Sequence, residues 1–376
     1  MTAAPSLPRR LRSTLGRIAR EAVLYPAALR PRGGRPRLAV LPSQARVQSG
    51  LLRGYNMADE LRLRGWQAIV LPPHLTQAQR QRLLALFRPD LLLVQQCRHP
   101  LNRVQHLAGW RLVLDIDDAD FLDPALQDEL EAMARRAAGV VCGSRYIRDW
   151  ALPFNANARV IWTGTPVSAA TTPRHAERQP IVTWAQSSPL GYVAEFAFVR
   201  DVMCRTAARI GPVQFRLYGW DAPPDHPYLD EMCAAGVTVE LLPFLDYAAF
   251  LASLRDVALG LSPIVPEGFS RGKSFGKILG YLDADVPVIC SDEADHALFF
   301  TAESGIVSND PEIWVDAICS LLADPGRRDA MAAAARRAFA AQLSTGAAGA
   351  QLHQFLSPLV SGRKTGPPLA AADQGA

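Results

Sequence analysis

Three segments of this sequence combine residue types and spacings that can do chemistry. The first, GFSRGKSFGKILGYLDADVPVICSD at 268–292, holds Lys273 and Lys277, two of only three lysines among forty Lys and Arg residues. A coding preference for arginine would thin lysines out, but it would not set two of them four residues apart. Phe275, Ile278, Leu279 and Leu282 keep the spacing of a buried helical face, which predicts a helix over 273–283 with both lysines on another face. A helix start presents unpaired N–H groups and partial positive charge, which suits phosphate. Lys273 and Ser274 would add an ammonium and a hydroxyl there, and Lys277 a second charge one turn in. Such a site could neutralise a departing diphosphate without a metal. The bland alternative is a solvated lysine face. The segment also falls one residue short of the phosphate-loop pattern G-x-x-x-x-G-K-[ST], counting from Gly268 to Gly272.

The second segment, LVLDIDDADF at 112–121, ends an apolar strand in Asp115, Asp117, Asp118 and Asp120. Acids at a strand's carboxyl end face the ligand side of an open α/β sheet. Three readings stay open. Asp117 or Asp118 could bind or deprotonate an acceptor hydroxyl. Asp115 and Asp117 could serve a magnesium-dependent phosphatase or kinase, although Ala119 breaks the D-x-D-x-T phosphatase pattern. The acids could also simply cap the next helix. The third segment, QSGLLRGYNMADEL at 48–61, follows the first strand. There Arg53 between Gly50 and Gly54 could close on the same diphosphate, or cap a surface helix. Fainter candidates follow other strands: Arg98 and His99; Trp184, Gln186, Ser187 and Ser188; Tyr218 and Gly219; and Phe244, which could contact a base or pack in the core.

These residues must be positioned by something, and the sequence says what. After Arg37 short apolar runs alternate with helical patterns. The first half offers strands at 37–42, 67–72, 90–95, 111–117, 139–144 and 159–164, with helices near 50–64, 76–87, 123–137 and 144–152. Thr76 with Gln79 reads as a capping box, and Asp123-Pro124 as an N-cap with Pro at the first helical position. The second half restarts the pattern. Its strands are expected at 181–186, 213–219, 237–244, 257–263, 286–291 and 304–309, and its helices near 190–210, 246–255, 273–283, 310–323 and 326–342. Asp246 and Asp310 are its N-cap candidates. Continuous apolar strands alternating with helices predict parallel sheets covered on both faces. The expected fold class is therefore α/β, with two Rossmann-like doubly wound domains facing across a cleft. The expected division is a basic N-terminal helix or arm at 1–36, a first domain at 37–167, a polar linker at 168–180, a second domain at 181–345, and a C-terminal helix with a disordered tail at 346–376.

Bulk properties narrow the class. A length of 376 residues with 49% hydrophobic content suits two α/β cores. No apolar run is long enough to span a membrane, and no apolar stretch of leader type opens the chain, so a cytoplasmic protein is expected. Six scattered cysteines without a CxxC pair read as reduced thiols rather than zinc ligands. Residues 1–37 carry nine arginines and one acid, Glu21, so the positive charge sits at the N-terminus. Leu7, Leu11, Leu15, Ile18 and Ala22 make that arm a basic amphipathic helix, suited to peripheral contact with an anionic membrane. The body shows no nucleic-acid footprint.

The 257–292 stretch, ending in Asp285-Val286-Pro287-Val288, resembles the signature region of GT-B glycosyltransferases, especially those similar to glycosyltransferase family four. Strand order extends the resemblance over most of 37–340. It implies a glycosyltransferase of glycan biosynthesis that moves a sugar from a nucleotide diphosphate sugar to an acceptor hydroxyl on a glycan or lipid-linked envelope acceptor. It also implies retention of anomeric configuration, no required metal and no cofactor beyond the donor. Donor contacts would fall to Arg53, Gln186, Ser187, Gly219, Phe244, Lys273, Ser274 and Lys277, and catalysis to Lys273 with Asp117 or Asp118. The family commonly carries two glutamates eight residues apart, the second binding ribose; here Gly272 and Gly280 stand at those positions. That departure leaves a binding protein without turnover as the non-enzyme alternative.

Overall fold

The computed structural model describes residues 21–46, 49–169, 171–266 and 268–361, with the backbone alone at Phe269 and Lys277. The core of the expected basic helix (residues 1–20) and the tail beyond 361 lie outside the described residues. So does Gln48, at the head of the Arg53 segment.

The described chain forms two compact units. The first holds residues up to Gly143, Ile147–Ile161 and those from Ala348; the second holds Ser144–Tyr146 and Trp162–Ala347. The polar segment 168–180 belongs to the second unit. Its backbone and side chains are tied there, with the Ser168 amide on Asp283 at 2.7 Å, the Thr172 hydroxyl on Asp285 at 2.6 Å and the His175 amide on Asp329 at 3.0 Å.

The first unit is a six-stranded parallel sheet of β1 (Arg37–Leu41), β2 (Gln67–Val70), β3 (Leu91–Gln95), β4 (Leu112–Ile116), β5 (Val140–Cys142) and β6 (Ala158–Val160). Their order is β2-β1-β3-β4-β5-β6. β1 to β5 are buried at every position, as continuous apolar runs require when helices cover both faces. Leu352, Phe355 and Leu356 of the last helix, Thr345–Ser361, complete this core beside Leu38, Val40 and Leu61.

The second unit repeats the architecture with β7 (Ile181–Trp184), β8 (Val213–Tyr218), β9 (Val237–Leu242), β10 (Val257–Ser262), β11 (Val288–Cys290) and β12 (Ile306–Val307). All its pairings are parallel, in the order β12-β11-β10-β7-β8-β9. Phe196, Val199 and Met203 of the helix Val193–Ile210 pack with Trp314 and Ile318 of the helix Pro311–Ala323 on one core.

Local signals mostly hold. Thr76 and Gln79 make both bonds of the capping box, and Asp246 and Asp310 cap their helices through the amides of Ala249 and Glu312. Two expectations are corrected. Asp123 accepts the Ala125 amide in a turn, and the helix starts at Gln127, so Asp123-Pro124 precedes the helix instead of opening it. The single helix expected over 273–283 is broken into a 3-10 turn at Phe275–Lys277 and a short helix at Leu279–Asp283, and another 3-10 turn, Gly268–Gly272, precedes them. Gly272, Gly276 and Gly280 weaken a continuous helix there. Ser274 is extended (φ −105°, ψ 178°), and Phe275 is drawn into an aromatic cluster with Trp162, His296 and Phe299. The helix Pro227–Ala234 was not foreseen, although Pro227 at its first position, behind the capping His226, marks it.

Candidate functional site

Each sheet has one place where the strand order reverses, and ligands of open α/β sheets bind outside the strands' carboxyl ends there. In the first unit this switch point lies between β1 and β3, and in the second between β7 and β10.

At the second switch point, one buried side chain bridges the two strands. The Tyr281 hydroxyl accepts the Ala185 amide at 2.6 Å, just past β7, and donates to the Leu261 carbonyl of β10 at 3.3 Å. Gly260 makes room for it, since a Cβ there would sit 2.7 Å from the Tyr281 ring. Above this bridge opens a small crevice lined by Trp184, Gln186, Glu195, Ser262, Ser270 and Lys273. Lys273 is buried, its Nζ 5.3 Å from the centre of the Tyr192 ring and its amide bonded to the Ser270 carbonyl. It reaches the crevice from the extended link between two 3-10 turns, and not from a helix N-terminus.

The other candidates of this unit divide. Gln186 lines the crevice and accepts the Ser187 amide at 2.8 Å, which shapes the loop after β7; Ser187 itself is exposed. Gly219 (φ +77°) supports that loop from behind, because a Cβ there would meet the Gln186 carbonyl oxygen at 2.1 Å. Ser274 is buried beside Lys273 but does not line the crevice. The Lys277 side chain lies outside the described residues. Phe244 is 59% exposed beyond β9 and does not line the crevice, so it is neither a core aromatic nor a crevice residue. At Gly280, a Cβ would lie 2.4 Å from the Phe250 ring, so that ring fills the space a side chain would need.

The first unit gathers the acids. Arg53 stands in a π-helical turn, Gly50–Tyr55, that runs into the helix Asn56–Leu63. Its guanidinium donates to both oxygens of Asp115, at 3.0 and 2.5 Å, and to the Ile161 carbonyl at 2.9 Å. Burial works against this charge, but Asp115 more than compensates and holds the Arg53 pKa above its ordinary value. Arg53 thereby ties Asp115 of β4 to the chain just past β6.

Asp117 is different. Gln96, left-handed at φ 51° just past β3, accepts the Ser43 hydroxyl at 3.1 Å and donates to Asp117 Oδ1 at 2.5 Å. Burial, then the Asp118 charge, pushes the Asp117 carboxyl up to about 7, against the pull of Arg53 and Arg98. Asp118 is partly exposed and accepts Arg98 at 2.8 Å; Arg98 also holds Asp120. His99 accepts the Leu101 amide and is a local cap. The switch point itself is closed by Asn102, whose Nδ2 donates to the carbonyls of Leu41 and Gln95 at 3.1 Å each.

Sequence reasoning missed Glu195, Ser262, Tyr281, Gln96 and Asn102. An acid in the first turn after the unit's first strand was a signal for Glu195; the others carry no local signal, because their partners are distant in sequence. Among the described residues, no group of three or more His, Cys, Asp or Glu could hold a metal ion, and no helix is long and apolar enough to cross a membrane.

Residues 200–354 match a family model described as "Glycosyl transferase-like". No curated protein matches significantly. Among solved structures, sucrose-phosphate synthase from Thermosynechococcus elongatus is similar at 14% identity and TM-score 0.66, covering 88% of this chain and 100% of that one. A glycosyltransferase from Rickettsia africae is similar at 12% identity and TM-score 0.62, with coverage of 88% and 100%. The Anabaena protein HepE, solved in complex with UDP and glucose, is similar at 15% identity and TM-score 0.58, with coverage of 86% and 100%. At these identities the likeness is one of fold.

Proposed function

We propose that this chain, whose residues 200–354 match a glycosyltransferase-like family model and whose two sheets have the GT-B fold, is a glycosyltransferase moving a sugar from a nucleotide diphosphate sugar to an acceptor hydroxyl. One observation supports the donor half above all. Lys273, one of three lysines in the chain, is buried at the crevice over the β7/β10 switch point. In this reading its ammonium, with Ser274 and Lys277 close in sequence, neutralises the diphosphate as the bond to the anomeric carbon breaks. Gln186 and Ser187 shape the loop on the other side, held by Gly219. Cationic side chains would then stabilise the leaving group, so we expect turnover to persist in EDTA. Retention of configuration and a place in family four belong to the same proposal and rest on the sequence resemblance. UDP is the first nucleotide to try, since the HepE structure holds it.

The acceptor half rests on Asp117, with Asp118 beside it. A buried carboxyl titrating near neutrality is suited to take a proton from a hydroxyl. A glycan or lipid-linked acceptor of envelope or surface synthesis, reached from the cytoplasmic side of a membrane, fits the basic N-terminal arm. Vesicles of anionic lipid should bind the full chain and not one lacking residues 1–36; equal binding would remove this part.

The central test is release of nucleotide from UDP-, GDP-, ADP- and dTDP-sugars by the wild type and Lys273→Ala. We expect one donor class to turn over and the variant to lose roughly a hundredfold in kcat/KM. An unchanged variant would sink the donor assignment. The Phe250 ring against Gly280 favours a second reading, a nucleotide- or glycan-binding protein without turnover. That reading expects nucleotide binding that Lys273→Ala weakens, and no release from any donor.

A further inference from the structure

Two groups in the crevice are not explained by diphosphate binding. Ser262 ends β10 and is 3% exposed, and its Oγ has no hydrogen-bond partner among the described residues. Leaving a buried hydroxyl unpaired is costly, because it gives up its bonds to water for nothing. The neighbouring Ser291 shows the contrast: its Oγ accepts the Ile264 amide at 3.0 Å and so fixes the chain just past β10. Glu195, in the first turn of the helix Val193–Ile210, is 4% exposed. Its Oε1 takes the Val265 amide at 3.4 Å, longer than the usual N–H···O bond. Both side chains line the crevice that Lys273 lines, and the crevice has room for about one water molecule.

We propose that Glu195 and Ser262 form a slot that reads one hydroxyl of the nucleotide sugar. This rests on the donor reading above. A carboxylate accepts strongly and offers about four acceptor positions, while a serine hydroxyl both donates and accepts. Together they complement a single alcohol: its O–H donates to Glu195, and its oxygen accepts from Ser262. The size of the slot excludes a whole sugar ring but admits one hydroxyl in place of a water. The hydroxyl belongs either to the ribose or to the transferred sugar. With the Phe250 ring packed on Gly280, the slot supplies a carboxylate to the donor site from a different element of the same unit.

The test is calorimetric titration of the full chain, as wild type, Glu195→Gln and Ser262→Ala, after UDP, GDP and ADP have identified the nucleotide. The ligands are that nucleoside diphosphate, its 2′-deoxy and 3′-deoxy forms, and its glucose-bearing donor. If the slot reads the ribose, both variants bind the parent nucleotide roughly tenfold or more weakly, yet bind one deoxy form as the wild type does. If it reads the sugar, the variants bind all nucleoside diphosphates normally and lose that factor only on the glucose-bearing donor. Equal losses on every ligand would assign Glu195 to fold support, and no loss on any ligand would remove the slot; either result overturns the proposal while leaving the donor reading intact. A wild type that binds none of the nucleotides would overturn both.

Discussion

The two switch points solve one problem in opposite ways. Between β1 and β3 the first unit closes its crevice with hydrogen-bonded polar side chains: Asn102 ties both strands, and Ser43, Gln96 and Asp117 form a chain beside it. Between β7 and β10 the second unit uses one tyrosine as the tie and leaves the space above it lined by Lys273, Glu195 and Ser262, whose Oγ has no partner among the described residues. Buried polar groups that satisfy one another make a rigid support. The same topology therefore yields an organised acid cluster in one unit and a small open crevice in the other.

If this contrast is right, substitutions in the first unit should register mainly as stability. The largest effect is expected from Arg53→Ala, which strands the Asp115 carboxylate in the interior. Removing one partner of a buried pair costs about 3–5 kcal/mol, which urea unfolding would show as a much lower midpoint. An unchanged midpoint would mean that the pair is not a support. Asp117→Asn comes next and carries a pH signature. The carboxyl is raised in the folded state, so its contribution is fully present below the ordinary Asp range and is lost as pH rises through about 7. The asparagine variant should therefore match the wild type near pH 4 and exceed it at pH 8 by an amount on the order of a few kcal/mol. Wild-type turnover should rise with an apparent pKa near 7, and the variant should lose that limb. A stability gap independent of pH would refute the placement of that charge.

The second unit should respond through binding. Gly219→Ala forces a Cβ onto the Gln186 carbonyl at a positive φ; we expect about 1–3 kcal/mol of lost stability and, as a sharper sign, weaker nucleotide binding from a displaced loop. Normal affinity would detach that loop from the site. Tyr281→Phe should have the smallest effect, about 1–2 kcal/mol in unfolding, because it removes one hydroxyl but leaves the ring that fills the sheet. A larger loss of affinity than of stability would give the bridge a part in shaping the crevice.

Much of this molecule could be read from its amino acids in order. Unbroken apolar runs dictated buried parallel strands, and Thr76, Asp246 and Asp310 announced their helices, because both signals depend on neighbours a few residues away. Lysine scarcity singled out Lys273, which the fold places at the crevice of the second unit. Whether Arg53 grips a ligand or a carboxylate was not legible, since Asp115 lies sixty-two residues on and reaches it only through strand pairing. The apolar spacing at 275–282 promised a helix, and packing of Phe275 against distant aromatics divided it. The register of the sheets also decided that Tyr281, Ser262 and Glu195 meet at one strand reversal. Short-range rules thus set the elements and their faces, while the pairing of polar groups, which decides what is support and what is site, is a long-range property that only the folded chain possesses.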